Sequence, residues 1–374
     1  MRASDDDDVR FMRRALELAS RGLGRSSPNP AVGALVVAMG EVVGEGWHVK
    51  AGEPHAEPIA LVNAGERARG ATLYVTLEPC SHWGRTPPCT EAIIEAGISR
   101  VVFAALDCDP RCSGKAASRL EERGIQVTAG VLADEALRQL ESYMKHKRTG
   151  TPFVTLKLAA SLDGRTATHT RNSRWITSPE ARERVHQWRN TSDAVMVGVG
   201  TVLADNPQLS TRLTTPGARD AARVVVDTYA RTPADAKVIT QRAADTRCII
   251  AVGQSADESR MRALTQAGAD VVRLPLDTDD HVDLHALMAH LGSLNIMSVL
   301  LEGGHELAGA AVQAGIVDKI AFFYAPRLIG GASAPGMLGG IGVPMVADAR
   351  TVDVLNVERI GPDILVEGYI SAPE

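Results

Sequence analysis

The first part of this chain is organised around three short segments, which determine how it folds and what it can bind. They are His55-Ala56-Glu57, Pro79-Cys80 and Cys89. One imidazole and two thiolates form a ligand set typical of zinc, and three protein ligands leave the fourth tetrahedral position open for catalysis. Glu57 follows the histidine by two residues and can move protons without ligating the metal. This order of residues is typical of zinc-dependent base deaminases. We therefore predict metal ligands at His55, Cys80 and Cys89, with Glu57 as a catalytic residue.

The spacing of the two cysteines departs from that general pattern. Eight residues, 81–88, separate Cys80 from Cys89, where the general signature has two. We interpret 81–88 as a loop that the metal fixes at both ends and that lines a substrate pocket. A purely structural zinc is the main alternative, with a fourth ligand from Cys108, Cys112 or His82. That alternative leaves Glu57 without a role.

Composition limits the classes of function. The 374 residues are too many for one typical core, so two domains are expected. A net charge of −5 argues against a nucleic-acid-binding surface, and no apolar run is long enough to cross a membrane. The five cysteines are too few for a disulfide framework, and the first residues lack the apolar run of a secretion signal. We expect a cytoplasmic protein.

Alternating strand and helix patterns predict an α/β sheet with helices on both faces in the first part of the chain. Near the ligands, the patterns predict a helix over 55–64, a strand over 71–77 and a helix over 90–96. A short basic segment with glycine and proline, 147–152, predicts the domain boundary. We therefore expect domains at 1–148 and 149–374, the second with its own strand–helix alternation.

Longer motifs carry a resemblance to a known family. They are Ser27-Pro28-Asn29-Pro30-Ala31-Val32-Gly33, Gly52-Glu53-Pro54-His55-Ala56-Glu57, the stretch from Thr76 to Cys89, Leu156-Lys157-Leu158-Ala159-Ala160-Ser161-Leu162-Asp163-Gly164-Arg165, the stretch from Val197 to Pro207, and Leu300-Leu301-Glu302-Gly303-Gly304. In this order they resemble the bifunctional riboflavin-biosynthesis deaminase/reductase family. The eight-residue spacer is that family's form of the motif, so the apparent departure becomes the more specific signal.

The resemblance implies a fold and two consecutive reactions. The fold is a cytidine-deaminase-like α/β/α sandwich followed by a dihydrofolate-reductase-like α/β domain. The reactions are zinc-dependent hydrolytic deamination of 2,5-diamino-6-(5-phosphoribosylamino)-4(3H)-pyrimidinone and NADPH-dependent reduction of the ribosyl group to ribityl. The implied cofactors are one Zn²⁺ per deaminase domain and NADPH. The implied partner is a small phosphorylated pyrimidine; we expect a homo-oligomer that binds neither nucleic acid nor membrane.

The second domain lacks a G-x-G-x-x-G motif after its first strand, so a Rossmann domain is not predicted. Lys157 and Asp205 are the candidates for proton handling during reduction, although Asp205 could simply cap a turn. By resemblance, the NADP site comprises Ala159, Trp175, Thr201, Asp205, Thr228, Gly304, His305, Glu306, Leu307, Ala308, Gly309 and Ala310. The predicted substrate-binding residues of the two domains are Asn29, His82, Ser173, Arg189, Leu209, Arg212 and Glu302.

Arg189 and Arg212 are expected to bind the ribose phosphate, because a guanidinium fork fits a phosphate group. The alternative for Arg189 is that it has no binding role and is an ordinary solvent-exposed charged residue on a helix. The same glycine pair that would admit a phosphate, Gly303-Gly304, could also be an ordinary strand–helix turn.

Two motifs depart from the family pattern, at three positions. The family usually has Asp-Pro-Asn-Pro and Gly-x-Gly, where this chain has Asp107-Cys108-Asp109-Pro110 and Gly114-Lys115-Ala116. Two alternative functions also remain at this point. One is a deaminase of another pyrimidine or pterin-like base with a degenerate reductase domain. The other is an RNA-binding protein, which the negative net charge disfavours.

Overall fold

The computed structural model describes residues 5–83, 87–214 and 217–371. It divides into two compact units, Met1–Gly150 and Thr151–Glu374. Within the predicted substrate loop, Gly84, Arg85 and Thr86 lie outside the described residues. No helix in the described ranges is long and apolar enough to cross a membrane.

The first unit alternates helices and strands. Its elements are α1 (Asp5–Ser20), β1 (Gly33–Ala38), β2 (Glu41–Trp47), α2 (Ala56–Ala64), β3 (Thr72–Leu77), α3 (Cys89–Glu95), β4 (Arg100–Ala105), α4 (Lys115–Glu121), β5 (Gln126–Ala129) and α5 (Ala133–Thr149). The strands form a five-stranded sheet in the order β2-β1-β3-β4-β5. β1 is antiparallel to both its neighbours, whereas β3, β4 and β5 are parallel.

Glycines allow helices to pack closely on both faces of this sheet. A Cβ atom at Gly33 would overlap the Ala15 carbonyl oxygen in α1, and one at Gly46 would overlap the Ala56 carbonyl oxygen in α2. Gly33 pairs with Trp47, and Gly46 pairs with the next residue of β1. Because side chains of successive pairs point to opposite faces, α1 and α2 lie on opposite faces of the sheet.

The second unit begins with the strand β6, which starts shortly after the boundary between the units. Its elements are β6 (Phe153–Ser161), α6 (Pro179–Thr191), β7 (Ala194–Gly198), α7 (Val199–Asp205), β8 (Ala222–Val226), α8 (Lys237–Thr240), β9 (Cys248–Gly253), α9 (Glu258–Gln266), β10 (Asp270–Leu274), α10 (Leu284–Ser293), β11 (Ser298–Leu301), α11 (His305–Gln313), β12 (Lys319–Ala325), β13 (Val352–Ile360) and β14 (Asp363–Ile370).

These strands form a nine-stranded sheet in the order β10-β9-β8-β7-β11-β6-β12-β14-β13. The strands from β10 to β12 are parallel, and β14 and β13 extend the sheet in antiparallel fashion. Ala194 and Met196 of β7 belong to one apolar cluster, while Val195 and Val197 belong to another. Since side chains alternate along a strand, both faces of the sheet are covered.

The α/β fold class expected from the sequence is confirmed in both units. The sequence patterns did not predict α7, α8 or β13. The helix α7 follows β7 without a break. Its first residue, Val199, continues the apolar run of β7, so the sequence pattern predicts a longer strand there instead of the start of a helix. Polar residues such as Asp353 and Asn356 interrupt the apolar pattern of β13, which lies at the edge of the sheet.

Candidate active sites

Three elements bring the predicted metal ligands together. His55 directly precedes α2, Cys80 follows β3, and Cys89 is the first residue of α3. His55 Nδ1 lies 3.2 Å from Cys89 Sγ and 3.7 Å from Cys80 Sγ. Zinc–nitrogen and zinc–sulfur bonds at a tetrahedral angle would place such ligand atoms roughly 3.6 Å apart. The donor set and its spacing therefore fit a zinc ion.

The local hydrogen bonds favour the thiolate form of Cys80. The Cys89 thiol and the Cys89 N–H, 3.3 Å from Cys80 Sγ, both donate to this sulfur and lower the pKa of Cys80 to about 4. The first N–H groups of α3 thus stabilise negative charge at the ligand. A deprotonated cysteine is the form that binds zinc.

Glu57 lies in the first turn of α2 and is 4% exposed. Burial raises the pKa of its carboxyl group, and the nearby His55 opposes this effect without cancelling it. A carboxyl group with a raised pKa can both accept and return a proton near neutral pH. Its place beside the ligands suits the general acid–base role predicted for it.

Asn29 is oriented by a histidine that the motif analysis did not single out. Asn29 Nδ2 donates to His48 Nε2 at 3.0 Å, so His48 donates from Nδ1 to the Pro54 carbonyl oxygen at 3.0 Å. The His48 ring also packs edge-on against the His55 ring, with centroids 5.4 Å apart. His48 thus connects Asn29 to the predicted metal ligand His55. The role of His48 becomes visible only from these tertiary contacts.

The candidates for a fourth metal ligand lie apart from this cluster. Among the described residues, the group able to hold a metal comprises His55, Cys80 and Cys89. Cys112 Sγ instead contacts His82 Nδ1 at 3.1 Å, and Cys108 Sγ lies 3.9 Å from the Met144 carbonyl oxygen. This arrangement supports an open catalytic position rather than a closed structural site.

The family departures in the loop between β4 and α4 have internal partners. Asp109 accepts hydrogen bonds from the Arg111 guanidinium at 2.6 to 3.1 Å, and this contact lowers its pKa. Ala116 is fully buried, and its N–H donates to Glu78 Oε1 at 3.0 Å. Asp109 is thus paired within its own loop and Ala116, in the first turn of α4, is paired with Glu78 after β3; neither belongs to the ligand cluster.

A cavity of about 1250 Å³ in the second unit collects most of the predicted reductase residues. It lies where β7, β8 and β11 end, which is the usual place for a ligand in a parallel sheet. The predicted residues on its wall are Lys157, Ala159, Ser173, Trp175, Arg189, Thr201, Asp205, Leu209, Arg212, Thr228, Glu302, Gly304, His305, Glu306, Leu307 and Ala310.

Two predicted cofactor residues are not on that wall. Ala308 is fully buried in the apolar core of the unit. Gly309 packs against the backbone of Gly339, because a Cβ atom there would overlap the carbonyl oxygen of Gly339. Consecutive residues of α11 point in different directions, so one helix cannot present every residue of 304–310 to the same ligand.

Arg189 and Glu302 form an ion pair at the base of the cavity, with side chains 12% and 10% exposed. Arg189 Nε and Nη2 donate to the Glu302 carboxylate at 2.6 and 2.9 Å, and Nη1 donates to the Ser210 carbonyl oxygen at 3.0 Å. All three guanidinium nitrogens therefore already have a protein partner. Arg212, on the same wall, has no such carboxylate contact in the described residues.

Lys157 of β6 faces the same ion pair. Burial lowers the pKa of its ammonium group, while the Glu302 charge acts against that shift. Burial alone would raise the pKa of Glu302, but the charge and hydrogen bonds of Arg189, together with the charges of Lys157 and His186, outweigh it, and the pKa falls below the ordinary value. Glu302 is thus an anion between two cations, and Lys157 is the member that can lose its proton most readily.

The second predicted catalytic residue, Asp205, has a different neighbour. Arg174 Nη2 donates to the Asp205 carboxylate and to its carbonyl oxygen, each at 3.0 Å. The Arg182 guanidinium lies over the Trp175 ring, 4.6 Å from its centroid. Arg174, Arg182 and His186 all line the cavity, although none of the three was predicted as a site residue.

Comparison with known proteins gives matches along nearly the whole chain. A family model described as RibD C-terminal domain matches residues 152–366, and one described as cytidine and deoxycytidylate deaminase zinc-binding region matches residues 5–105. The riboflavin biosynthesis protein RibD of Bacillus amyloliquefaciens is 44% identical over 355 residues, 95% of this chain and 94% of its own length. RibD of Escherichia coli is 41% identical over 370 residues, covering 96% and 98%.

Solved structures give the same result. RibD of Acinetobacter baumannii superposes with a TM-score of 0.85 at 36% identity, covering 99% of this chain and all of its own. A protein from Thermotoga maritima superposes with a TM-score of 0.83 at 36% identity, covering 98% of this chain and 99% of its own. The latter is described as a diaminohydroxyphosphoribosylaminopyrimidine deaminase/5-amino-6-(5-phosphoribosylamino)uracil reductase.

Proposed function

The chain belongs to the RibD family of riboflavin biosynthesis proteins, and from this premise we propose which of its residues carry out the two reactions. The family resemblance seen in the sequence is confirmed, as are the deaminase and reductase activities, zinc and NADPH. In our proposal the first activity resides in 1–148 and the second in 149–374. The convergence of His55, Cys80 and Cys89 beside a buried Glu57 is the observation that carries it.

The deaminase substrate in this proposal is 2,5-diamino-6-(5-phosphoribosylamino)-4(3H)-pyrimidinone, in line with the description of the Thermotoga maritima relative. Zinc held by His55, Cys80 and Cys89 would supply a water of lowered pKa as the nucleophile. Glu57 accepts the first proton of that water and delivers it to a ring nitrogen; it then accepts the second proton from the hydroxyl group of the added oxygen and delivers it to the departing amine, which leaves as ammonia. Asn29 and His82 hold the pyrimidine. Water replaces the exocyclic amine, so the ring gains a carbonyl oxygen.

The reductase step takes place in the cavity of the second unit. NADPH supplies a hydride to the sugar carbon bonded to nitrogen. Lys157 and Asp205 exchange protons with the sugar as its ring opens to the imine that is reduced. The half-buried position of Lys157 near Glu302 supports this role, because the lowered pKa of Lys157 makes proton exchange easier.

The ribose phosphate binds at the wall formed by Arg212 and Arg189. Arg212 is the direct phosphate ligand in this proposal, because the nitrogens of Arg189 already donate to Glu302 and Ser210. Ser173, Leu209 and Glu302 complete the substrate side of the cavity. The cofactor side comprises the remaining predicted residues on the wall, with the start of α11 facing a phosphate of NADPH.

We further propose that the enzyme works in the cytoplasm as a homo-oligomer, without binding nucleic acid or membrane. None of the five cysteines forms a disulfide, which suits a reducing compartment. The net charge of −5 suits a small-molecule enzyme better than a nucleic-acid-binding protein.

One experiment separates the two activities. The diaminopyrimidinone phosphate is supplied with and without NADPH, and ammonia release and NADPH consumption are followed separately. Ammonia is expected in both mixtures, and NADPH consumption should lag behind it. Ammonia release without any NADPH consumption would instead support a deaminase with a degenerate reductase domain.

A further inference from the structure

Cys112 is a buried thiol that neither reaction uses. It lies in the loop between β4 and α4 and is 1% exposed. Its sulfur lies 3.1 Å from His82 Nδ1, and the Ser81 N–H also donates to it. Burial, followed by the charge of Asp107, raises the pKa of Cys112 to about 12. The side chain is therefore a neutral thiol with one proton to donate.

The loop that carries Cys112 is fixed to the strand that leads to Cys80. Glu78, directly after β3, accepts hydrogen bonds from Gly114 N–H and Ala116 N–H, each at 3.0 Å, and from Asp107 N–H at 3.4 Å. The Glu78 side chain is buried. The position of Cys112 is thus set by the same residues that place Cys80.

His82 lies two residues after Cys80, in the segment predicted to contact the substrate. A neutral imidazole has one nitrogen that donates and one that accepts. If the Cys112 thiol donates to Nδ1, the ring proton is on Nε2. The ring orientation and the identity of its donor nitrogen are then both determined by one contact.

We propose that Cys112 is a positioning residue of the deaminase, whose S–H donates to His82 Nδ1 and so presents Nε2–H to an oxygen atom of the phosphorylated pyrimidine. This inference rests on the proposed function, since it takes the substrate from there. A contact that only fills space would stabilise the loop without fixing the tautomer of His82.

The first test is spectroscopic and does not depend on activity. The zinc-loaded full-length protein is labelled with ¹⁵N-histidine, and the His82 signals are assigned with His82→Gln. In the wild type, Nδ1 is expected to show the shift of an unprotonated nitrogen and Nε2 that of an N–H. Cys112→Ser, which keeps a donor, should retain this pattern, whereas Cys112→Ala should lose it. Cys108→Ser, in the same loop, is the matched control and should match the wild type.

The second test is kinetic. Loss of one hydrogen bond to a binding residue predicts a rise in the deaminase KM of roughly three- to tenfold in Cys112→Ala, with little change in kcat. Cys112→Ser should restore most of this loss, and NADPH oxidation with deaminated substrate should be unchanged in both variants.

Two results would overturn the inference. One is a proton on His82 Nδ1 in the wild type, a result that needs no folded variant. The other is an equal effect of Cys112→Ser and Cys112→Ala on the His82 signals. Failure of the wild type to release ammonia from the diaminopyrimidinone would contradict the proposed function instead, and the signals of His82 would still show whether Cys112 donates to it.

Discussion

Glu57 combines burial with a place beside three metal ligands. A carboxyl group in this environment retains its proton more readily than an exposed one, because burial raises its pKa. The side chains grouped to hold a metal are a histidine and two cysteines, so in our proposal Glu57 is not needed to hold it. Its replacement therefore separates proton transfer from metal binding.

Glu57→Gln should retain zinc and lose deamination. Glutamine has nearly the same shape but cannot accept a proton from water, so ammonia release should fall by roughly 10²- to 10⁴-fold. Elemental analysis checks the zinc content, and NADPH oxidation with deaminated substrate serves as the control. Full deaminase activity in this variant would contradict the acid–base role.

Lys157→Met should have the opposite effect to Glu57→Gln: it should impair reduction and leave deamination intact. Methionine keeps much of the apolar stem but carries no proton, so NADPH oxidation should fall by at least roughly 10²-fold. The Arg189–Glu302 ion pair retains its two partners, which should preserve the cavity. Ammonia release is the control measurement; if it falls in parallel, the substitution has disturbed folding rather than reduction.

Among the elements, α2 depends most directly on a close approach to the sheet. It begins right after His55 and carries Glu57, and glycines of β2 leave no room for a side chain beneath it. The position of a metal ligand is thus determined by small residues on a neighbouring strand. A substitution that displaces α2 should therefore also change the affinity for zinc.

Gly46→Ala should destabilise the first unit by about 1–3 kcal/mol, because the added methyl group meets the backbone of α2, which cannot move aside cheaply. Zinc affinity should fall as well, since α2 shifts together with His55. Urea unfolding and competition with a zinc-binding dye measure the two effects. Gly200→Ala, where no atom lies within 4 Å of the new methyl group, is the control and should change neither.

A histidine connects α6 to the segment that carries Arg212. His186 Nδ1 accepts a hydrogen bond from the Arg212 N–H at 3.3 Å. Burial, followed by the charges of Arg189 and Arg212, lowers the pKa of His186 to about 4, while Glu302 acts in the other direction. The ordinary value is about 6.5. Between these values the unfolded chain binds a proton that the folded chain excludes.

The stability contributed by this histidine should therefore be complete above about pH 6.5 and decrease as the pH falls towards 4. His186→Asn keeps an acceptor for the Arg212 N–H but does not titrate. Its urea midpoint should fall less steeply than that of the wild type between about pH 7 and pH 5. Parallel curves for the two proteins would show that His186 does not titrate in this way.

At the scale of the whole molecule, the two proposed activities belong to two different units, and only deamination should require zinc. Treatment with a zinc chelator should abolish ammonia release but spare NADPH oxidation when deaminated substrate is supplied, because the ligands of the metal lie in the first unit and the reductase cavity in the second. Addition of zinc should restore ammonia release. Loss of both activities after chelation would show that reduction also needs the metal.

The fold class predicted from the sequence is confirmed, and the three residues predicted to bind zinc lie together, because few residue types bind zinc and their order along the chain is informative. Strand and helix positions followed from apolar periodicity, except at α7, which continues β7 directly, at the short helix α8, and at β13, where polar residues interrupt the apolar pattern. The sequence could not predict the roles of His48, Cys112 and His186. Their partners are distant along the chain and become visible only when the tertiary contacts are known.

The carboxylate of Glu78 has a consequence for the dynamics of its loop. The Gly114 and Ala116 amides donate to a buried acceptor rather than to solvent. Amides in loops and in the first turn of a helix usually exchange their hydrogens with deuterium rapidly, whereas these two can exchange only when the start of α4 opens away from β3. They should therefore exchange about as slowly as amides of the central strands, and their exchange rates would report how often the deaminase loop opens.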